Sequence, residues 1–131
     1  MNSFPLQIVT PEGQKLDAPV EALLLRTTDG YVSIRAKHTD YIATLDIGVV
    51  TITIDGEERK AACGGGFLTV SRGEARLVAT SFEYAEDIDV ARAQGAKERA
   101  EARIAAAKDA EQIALAKVKL ARALNRLKIA G

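Results

Sequence analysis

The chain has 131 residues, 47% of them hydrophobic, and its 18 basic and 18 acidic side chains leave a net charge of zero. That is enough apolar material to build a core for one domain or two small ones. No apolar run approaches the roughly 20 residues that span a bilayer, so direct membrane insertion is not expected. The opening MNSFPLQIVTPEG places no basic patch ahead of a long apolar stretch, so no signal peptide is expected.

The first 86 residues read as β-structure. LQIVTPEG is a short strand ending at a Pro/Gly turn, and VEALLLRTTDG is a strand running into a turn at Asp29-Gly30. Val50, Ile52 and Ile54 then alternate with Thr51 and Thr53 before Asp55-Gly56, the pattern of a half-buried strand entering a tight hairpin. RKAAC, FLTV and EARLVAT follow at short intervals, separated by Gly64-Gly65-Gly66 and Arg72-Gly73. Many short strands with closely spaced turns indicate an antiparallel sandwich or barrel.

The pattern changes at Asp87. From there on no proline occurs, and 14 of 45 residues are alanine, which favours helix. Asp87 is placed to cap the first helix, with Asp89 suiting its positive end. The break is expected around Lys108 to Ala110. In the second helix Ile113, Ala116, Leu120, Ala123 and Leu127 recur at steps of three and four, a narrow apolar stripe. The expected fold is therefore α+β. An N-terminal antiparallel β-sandwich (1–86) is followed by a C-terminal antiparallel two-helix hairpin (87–131). Small alanines permit close packing but weak adhesion, so the hairpin is expected to detach at little cost.

Charge divides at the same place. Met1 to Glu86 carries 8 Lys+Arg against 12 Asp+Glu, whereas the remainder carries 10 against 6. After Glu111 come Lys117, Lys119, Arg122, Arg126 and Lys128 with no acid among them. Arg92 and Arg99 lie two turns apart on one helix, and Arg122 and Arg126 about one turn apart on the other. These four are either a solvated face or two halves of an anion site formed when the helices meet.

Catalytic chemistry is not evident. There is no Gly-x-x-x-x-Gly-Lys-Ser/Thr phosphate loop, and Gly64-Gly65-Gly66 between two strands reads as a turn or bulge. His38 and Cys63 are the only residues of their types, too few for a His/Cys metal cluster, and no third group orients them as a nucleophile pair. A lone cysteine forms no internal disulfide and fits a reducing compartment.

Taken together, TTDGYVSIRAKHTDYIATLDIGVV, the Gly65-Gly66-Phe67 turn, the AEDID junction and the terminal ARALNRLKIAG resemble the epsilon subunit of bacterial-type F-type ATP synthases over essentially the whole chain. The resemblance implies a non-catalytic, proton-translocating-motor subunit whose sandwich docks on the gamma subunit and the c-ring. It also implies mobile C-terminal helices that inhibit ATP hydrolysis when extended, the basic second helix then approaching the catalytic beta (and alpha) subunits. No nucleic-acid partner is implied, and the expected location is peripheral, on the cytoplasmic face of the bacterial inner membrane.

Some members of that family bind ATP in the folded form through Ile/Leu-Asp-x-x-Arg-Ala, matched here by Ile88, Asp89, Arg92 and Ala93. The corresponding partners are Glu83, Arg99, Arg122 and Arg126. The resemblance thus implies ATP as a regulatory ligand, with or without magnesium. Two departures fall in segments expected to be loops near the stalk and rotor contacts: Ser33 where glycine is usual, and Thr39-Asp40 where proline often follows the histidine. The alternative function is a free-standing nucleotide-sensing module outside the motor.

Overall fold

The computed structural model describes residues 2–130. Met1 and Gly131, the outer ends of the two expected segments, lie outside the described residues. Ten strands come first. They are β1 (Phe4–Thr10), β2 (Gly13–Val20), β3 (Ala22–Thr27), β4 (Gly30–Arg35) and β5 (Tyr41–Leu45). Then follow β6 (Gly48–Ile54), β7 (Glu57–Cys63), β8 (Gly66–Ser71), β9 (Glu74–Ala79) and β10 (Phe82–Tyr84).

The strands form one hydrogen-bonded path, β10-β7-β6-β3-β5-β8-β9-β1-β2, with β4 paired to β3 beside it. Neighbours are antiparallel except β1 and β9, which pair in parallel from Leu6↔Ala75 to Val9↔Val78. The path folds back at its narrowest join, the single pair Thr27↔Leu45 between β3 and β5. Leu23, Leu25, Ile34, Val50 and Ile52 from one layer then meet Leu6, Ile8, Leu68, Val70 and Leu77 from the other in one buried core. The alternation read from the sequence places Val50 and Ile52 inward, and the burial of all ten residues closes the sandwich.

Ser33 was expected in a loop, but it lies within β4 opposite Leu24. Its backbone is ordinary strand, which serine adopts without strain. Thr39 and Asp40 do occupy the loop before β5, where Asp40 Oδ1 accepts the backbone N–H of Arg72 at 3.0 Å.

One irregularity interrupts the edge strand. Ile8 pairs with Leu16 and the next residue, Val9, pairs with Gln14, so Lys15 is left without a partner. This is a β-bulge, an inserted residue that bends a strand and re-aims its side chain.

Helix α1 (Val90–Ala106) follows a single 3-10 turn at Ala85–Asp87, and α2 (Ala110–Ala130) follows the break at the expected place. The cap of α1 is Asp89, not Asp87: its side chain accepts the Arg92 backbone N–H at 3.0 Å. The chain must first turn to bury Ile88, which delays helix start by two residues. At α2, Asp109 accepts the Gln112 N–H at 2.8 Å while the Gln112 side chain accepts the N–H of the preceding Lys108 at 3.0 Å, two local bonds that fix the helix start.

The helices meet through Ala93 and Ala100 on one side and Ala116 and Ala123 on the other, all buried. Ile113, Leu120 and Leu127 are half-buried along the same stripe. Helix α2 rests on β6 and β7. Asn125 Nδ2 donates to the Gly48 carbonyl at 2.8 Å, and Arg122 Nε donates to the Gly64 carbonyl at 3.4 Å.

Candidate functional site: the groove between hairpin and sandwich

A groove of about 460 Å³ opens where α1, the end of α2, β10 and the β2 edge come together. Its volume lies within the range of small-molecule pockets, roughly 300–1,000 Å³. Helix α1 contributes Arg92, Ala93, Ala96 and Arg99, and α2 contributes Arg126. Glu83, Tyr84, Asp87 and Asp89 come from β10 and the junction, while Glu12, Gln14 and Lys15 come from the sandwich edge.

Arg92 and Arg99 make no ion pair among the described residues, so both guanidinium groups keep their full donor capacity. A Cβ at Gly95 would come within 3.2 Å of Arg99 Nη1, so the bare glycine gives that guanidinium room against its own helix. A glycine inside a helix costs about 1 kcal/mol relative to alanine. Arg126 pairs with Glu83 at 3.2 Å, and each side chain is about 30% exposed. A pair of that exposure contributes about 1 kcal/mol or less, so a stronger anion can displace the carboxylate.

The structure therefore brings together Glu83, Asp89, Arg92, Ala93, Arg99 and Arg126. Ile88 is buried beside the groove and anchors the junction without lining it. Arg122 does not line this groove. It occupies a small crevice with Cys63, Gly64 and Asn125, which Arg126 also lines. A Cβ at Gly64 would lie 3.3 Å from Arg122 Nε, so a glycine there lets the arginine reach the backbone. Asp89 engages the backbone of Arg92 and serves as the helix cap, so its second oxygen remains available as an acceptor.

Sequence reasoning missed Glu12, Gln14, Lys15, Tyr84 and Asp87 as lining residues. Tyr84 fixes the junction. Its ring meets Phe82 edge-on at 5.2 Å, and the Arg59 guanidinium lies 3.6 Å from its centroid. Arg59 also pairs with Glu86 at 2.6 Å. The Tyr84 hydroxyl donates to the Lys15 carbonyl at 3.4 Å. Burial raises the Tyr84 phenol above its ordinary pKa of 10.0; Arg59 opposes the rise, and Glu86 and Asp87 add to it.

The groove balances Lys15, Arg92, Arg99 and Arg126 against Glu12, Glu83, Asp87 and Asp89. Guanidinium and ammonium groups suit a polyphosphate, and carboxylates suit sugar hydroxyls or a base amine. The residues present thus fit ATP. Among the described residues no three His, Cys, Asp or Glu side chains converge on a point that would hold a metal. Cys63 sits inside the core, where burial raises its thiol pKa against a smaller lowering by its contact with the Gly65 carbonyl. His38 lies in the loop after β4, its Nδ1 2.8 Å from the Thr39 carbonyl. Neither histidine nor cysteine reaches the groove.

A second surface lies on the opposite layer. Phe67 and Ile42 stand outward there, 45% and 74% exposed, with Val78 and Val9 continuing the row beyond Phe67. Helix α2 also exposes Leu115, Val118 and Leu124 among its lysines. Among the described residues no helix is long and apolar enough to cross a membrane.

Residues 3–85 match the family model "ATP synthase, Delta/Epsilon chain, beta-sandwich domain", and residues 86–131 match "ATP synthase, Delta/Epsilon chain, long alpha-helix domain". The chain is 40% identical over 131 residues to the ATP synthase epsilon chain of Bacillus velezensis, covering 100% of this chain and 99% of that one. It is also 40% identical to the epsilon chain of Symbiobacterium thermophilum, covering 100% and 95%. Among solved structures, a chain of the Euglena gracilis mitochondrial ATP synthase superposes with a TM-score of 0.78 at 22% identity, covering 92% of this chain and 77% of that one. A chain of the Tetrahymena thermophila central stalk and c-ring structure gives 0.69 at 13% identity, covering 97% and 96%. These two likenesses establish the fold, and the full-length sequence matches establish the kinship. With a sandwich and a helical hairpin that both match over their length, the chain belongs to the delta/epsilon family of F-type ATP synthase subunits, as an epsilon-type, non-catalytic component of the central stalk.

Proposed function

We propose that this subunit docks by its sandwich on the gamma subunit and the c-ring and regulates ATP hydrolysis through its hairpin, with ATP holding the hairpin folded. The observation that supports the regulatory part is the groove itself. Arginines from both helices face one space beside Glu83, so a bound triphosphate bridges α1 and α2. A ligand that binds only the folded form stabilises it by about 2.7 kcal/mol at a hundredfold excess over Kd. An interface of alanines is weak enough for that increment to decide the population.

Once released, α2 presents Lys117, Lys119, Arg122, Arg126 and Lys128 with no intervening acid, a charge pattern suited to an acidic segment of the catalytic beta and alpha subunits. The outward row of Phe67, Val78 and Val9, with Ile42 on the same face beside it, lies in the layer away from the helices, which makes this the docking face for gamma in this reading. Such an assembly places the subunit peripherally on the cytoplasmic face of the bacterial inner membrane. The free-standing sensing module gives way to the full-length match with epsilon chains.

Calorimetric titration of the full chain with ATP, with and without magnesium, tests the ligand. Saturable binding is expected, weakened about tenfold or more when Arg92 and Arg126 are both replaced by Ala, since each loses a charge-assisted hydrogen bond. No heat at millimolar nucleotide would remove ATP from the account. Phe67→Asp combined with Ile42→Asp should abolish copurification with gamma; unchanged copurification places the docking face elsewhere.

A further inference from the structure

We infer that Lys15, presented by a bulge in the sandwich's edge strand, is a direct phosphate-binding cation of the hairpin groove. The inference rests on the nucleotide reading above and adds a ligand contact from the β domain.

Three observations carry it. The first is register. Gln14 pairs with Val9 and Leu16 pairs with Ile8, so Lys15 is the extra residue that the ladder leaves unpaired. Gln14 is exposed, with Gln7 Nε2 donating to its side-chain oxygen at 3.2 Å, whereas Leu16 packs on the core. The bulge at Lys15 breaks the strict alternation between them. The second is anchoring. The Lys15 carbonyl accepts the Tyr84 hydroxyl at 3.4 Å, so the bulge is tied to the strand that leads into the helices. The third is placement. Lys15 lines the same groove as Arg92, Arg99 and Arg126.

The local partner of the ammonium is weak. Lys15 Nζ lies 3.6 Å from Glu12 Oε2, and the glutamate side chain is 82% exposed. Such a pair exchanges readily for a polyanion of higher charge. The arginines of the groove all belong to the mobile helices, so they can grip a nucleotide without holding it to the sandwich. Lys15 belongs to the sandwich, so a phosphate shared between it and α1 links the hairpin to the fixed domain. That gives ATP the differential affinity for the folded form that a population shift requires.

The test is calorimetric titration of the full chain with ATP for the wild type and for Lys15→Gln, Lys15→Arg and Arg92→Ala. Lys15→Gln should raise Kd about three- to tenfold, the effect of one exposed charge-assisted hydrogen bond. Lys15→Arg should stay near wild type, and the unliganded melting temperature of both should be unchanged. Hydrogen exchange should show ATP protecting the hairpin less in Lys15→Gln than in the wild type. If Arg92→Ala loses affinity while Lys15→Gln binds as tightly as wild type, the inference falls and the nucleotide reading stands. If the wild type itself binds no ATP, both fall.

Discussion

The sandwich and the hairpin are built on opposite packing rules. Leu6, Ile8, Leu23, Leu25, Ile34, Leu68 and Leu77 are fully buried in the sandwich, with 0% exposure. In the hairpin the residues buried between helices are alanines: Ala93, Ala100, Ala116 and Ala123. A buried leucine or isoleucine side chain contributes about 1.5–3 kcal/mol, and a single methyl or methylene group about 0.8. Of the hairpin's larger apolar residues, Leu115, Val118 and Leu124 are exposed, and Ile113, Leu120 and Leu127 are only half-buried. One region is thus closed by large apolar side chains, and the other is held mainly by small contacts.

The largest expected effect separates the two regions directly. Leu77→Ala should cost the sandwich about 2–5 kcal/mol in denaturant unfolding, because it opens a cavity at a site with no exposure. Leu120→Ala, at a half-buried helix position, should cost under about 2 kcal/mol and leave sandwich unfolding unchanged. Equal costs, or a single shared transition shifted by both, would break the comparison.

Next comes Gly64→Ala. Its new Cβ would overlap Ser81 Oγ and press on Arg122 Nε. We expect a loss of about 1–3 kcal/mol, felt mainly as loosening of the last half of α2. Limited proteolysis within α2 should accelerate while the strands stay intact. Asn125→Ala, which removes the 2.8 Å bond to the Gly48 carbonyl, should shift the hairpin toward opening by about 1 kcal/mol. Faster exchange of α2 amides, with no change in β6, is the expected readout.

The smallest effect sharpens the junction between the regions. Tyr84 is held neutral by burial, with its pKa raised above 10.0. The unfolded chain therefore ionises first as pH rises. The stabilising contribution of Tyr84 is intact below pH 10 and declines above it. Tyr84→Phe should flatten that alkaline decline in a pH series of thermal melts; an identical decline in both proteins assigns it to other groups.

Much of this contrast was legible in the sequence, because local periodicity carries it. The Val50–Ile54 alternation before Asp55-Gly56 became β6, its turn and β7. The alanine-rich run formed two helices with the break where it was expected, since Asp109 and Gln112 bond backbone N–H groups at the second helix's start. What escaped depended on distant partners. The parallel pairing of β1 with β9 joins segments some seventy residues apart in numbering and leaves no local mark. The bulge at Lys15 exists only relative to β1. Arg122 and Arg126 look equivalent on a helical wheel, but the sandwich beneath them is not uniform. Arg126 meets Glu83, whereas Arg122 meets the bare backbone of Gly64. The cap moved from Asp87 to Asp89 for a similar reason, because Ile88 had a buried place to reach.

The most direct test of the central claim is native-state hydrogen exchange of the full chain, residue by residue, with and without ATP. Helices α1 and α2 should exchange through openings much cheaper than those of the core strands β1, β6, β8 and β9. Saturating ATP should raise helix protection while leaving the strands as they were. Helices as protected as the strands without nucleotide, or protection indifferent to ATP, would contradict the claim.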